Sequence, residues 1–131
     1  MATQYHRDGS GFEDAAGYAR AVRRGRRIEV SGTTAPGDPL GGPEETRRQT
    51  RDAISRALDA VTALGGRVED VVRTTLYLTP TADWRAASEA HQEAFAAVTP
   101  ANTTIYVAML LGEGSVVEVE ISAELEAGDD A

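Results

Sequence analysis

The chain has 131 residues, 21 of them acidic, with a net charge of −8 and no cysteine; all 13 basic residues are arginine. This excludes disulfides, thiolate metal sites, a cysteine nucleophile and Schiff-base chemistry on a lysine amine. The charge opposes binding along a phosphate backbone, and no apolar run approaches the roughly 20 residues that span a bilayer. The length fits one domain over 1–131. The first residues lack a basic segment followed by an apolar one, so no secretory signal is expected and the location expected is cytoplasmic.

In chain order, residues 1–16 are polar and Gly-rich and are expected to carry little order. Tyr18–Val22 and Arg27–Ser31 are short alternating runs around Arg24-Gly25, the pattern of a hairpin. The cluster Arg20, Arg23, Arg24, Arg26 and Arg27 reads as a solvated hairpin turn or as a partner for an acidic neighbouring subunit rather than a nucleic-acid contact. Thr33–Pro43, with Pro36-Gly37, Asp38-Pro39 and Gly41-Gly42-Pro43, is a loop long enough to be functional.

A first helix is predicted over Glu44–Leu64. Ile54, Ala57, Leu58, Val61 and Leu64 share one face, Arg48, Arg51, Asp52 and Arg56 the other, and Gly65-Gly66 stop it. The β-branched run Val71–Leu78 is a strand broken by Pro80. A second helix follows over Ala82–Val98, with Trp84, Ala87, His91, Phe95 and Val98 on one stripe. Trp84 reads as a core anchor and His91 as a core or interface histidine.

From Pro100 the chain reads as two strands joined by Gly112-Glu113-Gly114. In the second, Val117, Val119, Ile121 and Ala123 point one way, and Glu118, Glu120, Ser122 and Glu124 the other. On pattern alone Glu118 and Glu120 are a solvated sheet face; Glu120 reads as structural, paired to an arginine. Glu113 is an exposed turn residue or an acid at the rim of a cleft. Residues 127–131 form a frayed tail.

The order is β-β-α-β-α-β-β, an α+β domain whose two helices cover one face of a mixed sheet. The other face is expected to carry Arg73, Thr75, Tyr77, Thr104 and Tyr106, too apolar for bulk solvent and suited to burial against further copies of the chain. Two distant histidines give no metal signature, and no dinucleotide or Walker motif calls for a cofactor.

Gly17-Tyr18, Ile28-Glu-Val-Ser-Gly32, Val68-Glu-Asp-Val-Val-Arg-Thr-Thr-Leu-Tyr-Leu78, Asp83-Trp84, Glu93-Ala-Phe95, Pro100-Ala101 and Val117-Glu-Val-Glu120, in this order, resemble the Rid family, the YjgF-type enamine/imine deaminases. The resemblance covers Tyr18–Ala123. It implies a chorismate mutase-like fold and a homotrimer with small-molecule clefts between subunits. It places Glu118 where a glutamate positions the hydrolytic water, and Tyr18 and Ser31 where the cleft is lined. Three positions depart from the family pattern. Asn102 stands where an arginine clamps the substrate carboxylate, Thr33 where glutamine is usual, and Thr104 where cysteine is usual.

A neutral amide in place of a bidentate guanidinium costs on the order of 2–5 kcal/mol in a dry pocket. Either Arg20 or Arg73 substitutes for the missing arginine, or the substrate lacks that carboxylate. Three functions compete: a hydrolase of C=N or enamine bonds using Glu118 with Tyr18, Ser31, Thr33, Asn102 and Thr104; a non-catalytic metabolite-binding trimer; and an RNA-cleaving protein, which the acidity and the lack of an aromatic stacking ladder oppose. A specialised biosynthetic role is a further variant.

Overall fold

The computed structural model describes residues 2–9 and 12–128. Among them, six strands form one sheet in the order β1-β2-β3-β6-β4-β5. The strands are β1 (Gln4–His6), β2 (Ala21–Arg24), β3 (Arg27–Thr34), β4 (Val71–Leu78), β5 (Ala101–Tyr106) and β6 (Val117–Glu124). A short helix α1 (Glu13–Ala16) precedes β2, and the two long helices α2 (Gly42–Ala63) and α3 (Trp84–Phe95) pack side by side on one face of the sheet. The α+β architecture expected from the sequence is present, and among the described residues no helix is long and apolar enough to cross a membrane.

Local chemistry sets the helix limits. Pro43 lies in the first turn of α2, where its missing N–H costs nothing, and Glu44 and Glu45 face the positive end of the helix dipole. At the other end Gly65 takes φ +90, and the buried Arg23 guanidinium donates to the Leu64 carbonyl at 2.9 Å. Asp83 caps α3 by accepting from the Ala86 N–H at 2.9 Å. Ala53, Ile54, Ala57, Ala60 and Val61 of α2 and Ala86, Ala87, Ala90 and Phe95 of α3 are buried against Leu76, Leu78, Val117, Val119, Ile121 and Ala123. Small alanines let α2 sit close to the sheet and α3 close to α2.

Four expectations need correction. Within 1–16, the described residues carry regular structure where little order was expected: Gln4, Tyr5 and His6 pair with Arg23, Val22 and Ala21, and Glu13–Ala16 form α1. Second, β5 and β6 are not a hairpin. β5 runs parallel to β4 at the sheet edge, joined to it through α3, while β6 inserts between β3 and β4. The four inward residues of β6 are all buried, which makes it a central strand, whereas β5 is exposed along most of its length. Third, this parallel register puts Thr104 beside Leu76 and Tyr106 beside Leu78, on the helix side. The uncovered face therefore carries Arg73, Thr75 and Tyr77 with Ala101, Thr103 and Ile105. Finally, Trp84 is half exposed and stacks under the Arg85 guanidinium, since the buried stripe of α3 passes through Ala86 and Ala87.

The loops 35–41 and 107–116 are locked together. The fully buried Gln49 donates to Gly114 O at 3.1 Å and to Glu45 at 3.0 Å, and accepts from the Val116 N–H at 2.8 Å. A side chain at Gly114 would overlap the Gly37 carbonyl, and one at Gly37 would overlap Glu45. Replacing Gln49 by leucine keeps the volume and orphans a buried N–H. Such a change costs about 1–3 kcal/mol, measurable as a lower midpoint in urea at unchanged slope.

Candidate functional site

The end of β3 departs from regular pairing. The register against β6 shifts between Val30 and Thr33, and across that irregularity Glu118 comes opposite Thr34. Glu118 lies across the α-carbon of Gly32: any Cβ there would overlap Glu118 Oε1. Glycine leaves this space for the Glu118 carboxylate, and its φ is not positive. Burial pushes the Glu118 carboxyl above the ordinary glutamate value, the neighbouring Glu120 charge adds to the rise, and Arg20 opposes it.

Around Glu118 is a cleft of about 470 Å³ lined by Phe12, Tyr18, Arg20, Gly32, Thr34, Pro36, Arg56, Leu111, Gly112 and Glu113. Of the sequence-selected residues, Glu118 and Tyr18 meet here. Ser31 and Thr33 stand behind the wall. The Ser31 hydroxyl donates to the Ala19 carbonyl at 2.7 Å and the Ser31 N–H to the Arg20 carbonyl at 2.9 Å, tying the Tyr18–Arg20 segment to β3. Thr33 is fully buried, donates to Ser31 O at 2.8 Å and accepts from Arg20 at 3.1 Å. The register shift turns Thr34 to the cleft in its place.

Arg20 is the cleft residue to which the sequence assigned no certain place. Its side chain is 4% exposed, donates to the Gly32 carbonyl, and sits 5.6 Å over the Tyr18 ring. Arg56 escaped selection altogether: helical spacing put it on the polar face of α2, and nothing local shows that it reaches the Thr34 carbonyl at 3.1 Å. Arg73, the other candidate cation, stands apart, donating to Thr103 and lining a small cavity with Thr75 and Glu120. Glu120 itself accepts from the Tyr77 hydroxyl, not from an arginine. Glu113 is exposed and at the cleft rim.

Asn102 and Thr104 are not near Glu118 within one chain. They lie on the edge strand β5, with the Thr104 hydroxyl donating to Asn102 Oδ1 at 3.0 Å and Asn102 Nδ2 donating to Thr74 Oγ1 at 3.0 Å. Thr74 Oγ1 is in turn 2.8 Å from His91 Nε2. Burial holds His91 below the usual histidine value, so the neutral ring, stacked 4.7 Å from Phe95, is the form that completes this chain. One molecule thus holds the carboxylate cleft and the neutral polar edge apart. Among the described residues no cluster of histidine and carboxylates has the makings of a metal site.

The crowding at Gly32 makes a prediction. In the native protein, carbon-detected NMR titration of Glu118 should give a pKa above the ordinary 4.5. In Gly32→Ala the added methyl must expel the carboxylate toward water, and that pKa should fall back toward 4.5.

Comparison with known proteins agrees with this architecture. The family profile described as Endoribonuclease L-PSP matches residues 9–125. An uncharacterized protein of Streptomyces coelicolor is 38% identical over 116 residues, covering 88% of this chain and 87% of its own. The mitochondrial protein mmf2 of Schizosaccharomyces pombe is 31% identical over 110 residues, covering 82% of this chain and 87% of its own. In three dimensions, Rv2704 of Mycobacterium tuberculosis, a member of the YjgF/YER057c/UK114 family, superposes with a TM-score of 0.84 at 38% identity, covering 95% of this chain and all of its own. The profile match over most of the chain, and two relatives above 30% identity at this coverage, make this chain a member of the L-PSP endoribonuclease family, the YjgF or Rid family.

Proposed function

We propose that the chain is a small-molecule hydrolase acting on imine or enamine bonds, with Glu118 as its acid/base. The observation that carries this reading is the Glu118 carboxyl, held across Gly32 inside a cleft with its pKa raised. A raised pKa brings a carboxylate nearer the value suited to moving protons at neutral pH. Water adds to the C=N carbon while Glu118 takes its proton. That proton passes to nitrogen to give the carbinolamine; Glu118 then moves the hydroxyl proton to nitrogen as C=O forms and the C–N bond breaks, releasing ammonia.

The exposed edge supports assembly into a homotrimer, the state common in this family. Ile105, Tyr106 and Met109 are 41%, 50% and 75% exposed on β5 and the loop after it, a run of apolar surface along the edge that carries Asn102 and Thr104, and Leu111, 91% exposed, lines the Glu118 cleft. Trimerisation would let the polar edge of one copy face the carboxylate cleft of the next. Light scattering should give three chains per particle; a monomer at micromolar concentration would remove the composite site.

Asn102 favours a second reading, a trimer that binds a metabolite without turning it over. Its amide is already engaged by Thr74 and Thr104 and offers no charge to a substrate carboxylate. RNA cleavage, suggested by the family's description, has less support. The arginine cluster does not make a free basic patch, since Arg20 and Arg23 are buried and Arg27 is bound to Glu29.

The first two readings separate in one assay, ammonia release from an imino acid made in place by an amino-acid oxidase. The native chain should be weak. Asn102→Arg should raise the rate, and Glu118→Gln in that background should abolish it. If Asn102→Arg binds the imino acid's stable keto analogue but releases no ammonia, the binding reading stands and the hydrolase reading fails.

Glu118→Gln should not cost stability. With its folded pKa raised, the native state prefers the protonated carboxyl. Stability therefore falls as pH rises from 4.5 through the folded pKa, and the amide avoids that loss. At neutral pH the melting temperature of Glu118→Gln should equal or exceed that of the native protein. A drop equivalent to more than about 1 kcal/mol would make Glu118 a structural residue.

A further inference from the structure

We infer that Arg56 and Arg20 form an anion subsite in the Glu118 cleft, and that the chain's own Asp8 carboxylate occupies it until a ligand carboxylate takes its place. The inference rests on the hydrolase reading only for the use of the cleft. The recognition itself stands on geometry.

Asp8 Oδ2 accepts from Arg56 Nη2 at 2.8 Å and Nε at 3.0 Å, and lies 3.8 Å from Arg20 Nε. The two donors of Arg56 converge on one oxygen, and a second guanidinium approaches the same atom. A planar carboxylate meets two cations in the same way when it is bound as a ligand. Both arginines line the same cleft as Glu118.

The two cations differ in what holds them. Arg20 is fixed from behind by Gly32 O and Thr33 Oγ1 and stacked on Tyr18, so it stays in place whatever binds. The Arg56 side chain is 34% exposed, anchored by one bond to the Thr34 carbonyl, and can receive a solute from water. Asp8 is 24% exposed and comes from the segment just after the three-residue strand β1, a short edge strand.

The subsite lies on the β3–α2 side of Glu118. It therefore selects a substrate whose anionic group lies on that side of Glu118. The ligand class is a small carboxylate whose reactive carbon reaches Glu118 while its anion lies between Arg56 and Arg20.

An internal carboxylate that holds the subsite nine-tenths of the time weakens a competing ligand about tenfold. The test is calorimetric titration of the full chain with pyruvate, beside pyruvamide as the neutral isostere. Asp8→Asn should bind pyruvate roughly tenfold more tightly than the native chain, with no gain for pyruvamide. Asp8→Asn/Arg56→Gln should lose the gain. Arg20 is left intact because its burial makes substitution hazardous to folding.

Equal pyruvate affinity in the native chain and Asp8→Asn overturns the inference, as does a gain that survives Arg56→Gln or extends to pyruvamide. The hydrolase reading is judged separately by ammonia release. A gain set by Asp8 and Arg56 in a chain that never releases ammonia keeps the subsite and removes the hydrolase. Glu118-dependent turnover indifferent to Asp8 and Arg56 does the reverse.

Discussion

Burial of the Arg20 guanidinium is the constraint around which the cleft is organised. An arginine keeps its charge at any physiological pH, so a guanidinium taken out of water must be met by acceptors. Gly32 and Thr33 supply oxygens, Tyr18 its ring face and Asp8 a carboxylate; separately, the backbone N–H of Arg20 donates to Glu13, buried on α1, at 3.2 Å. Asp8 links the N-terminal segment to this charge, and the Ser31 bonds hold the Tyr18–Arg20 segment against β3. Glu118 gains by it as well, since a fixed positive neighbour limits the rise that burial imposes on its carboxyl.

The separation of the cleft from the polar edge follows from topology. Glu118 is on the central strand β6 and faces the uncovered side of the sheet, whereas Asn102 and Thr104 are on the edge strand β5 and face the helix side. A single copy cannot fold these residues together without breaking the β4 ladder between them. Chemistry needing both must come from two copies, and the apolar surface beside Asn102 is where a second copy would be expected.

Much of the fold was legible because the patterns were strong. β4 was read at its observed limits, and α2 to within two residues at either end, since a long periodic face bounded by Pro43 and Gly65 leaves little choice. The β5–β6 relation was not legible: a Gly-Glu-Gly turn between two β-rich runs reads as a hairpin, and only the burial of every inward residue on β6 shows it to be central. The face of Thr104 and Tyr106 followed from that error. In the cleft, Glu118 and Tyr18 were named through resemblance, since alternation alone cannot tell Glu118 from Glu120. Arg56 and Asp8 were missed because their meeting spans 48 positions of chain and leaves no local signal. Thr33 was misplaced by one residue because a register shift at Gly32 is invisible in the sequence.

The lock between the 35–41 and 107–116 loops bears on how such a cleft can diversify. Pro36 belongs to one loop, and Leu111, Gly112 and Glu113 to the other, and all four line the same wall. With Gly37 against Gly114 and Gln49 clasping the seam, neither loop can lengthen alone without prising the other off α2. Selectivity in this scaffold is therefore easier to change by swapping side chains on a fixed frame than by remodelling backbone. Any relative with a longer first loop should carry a compensating change in the second.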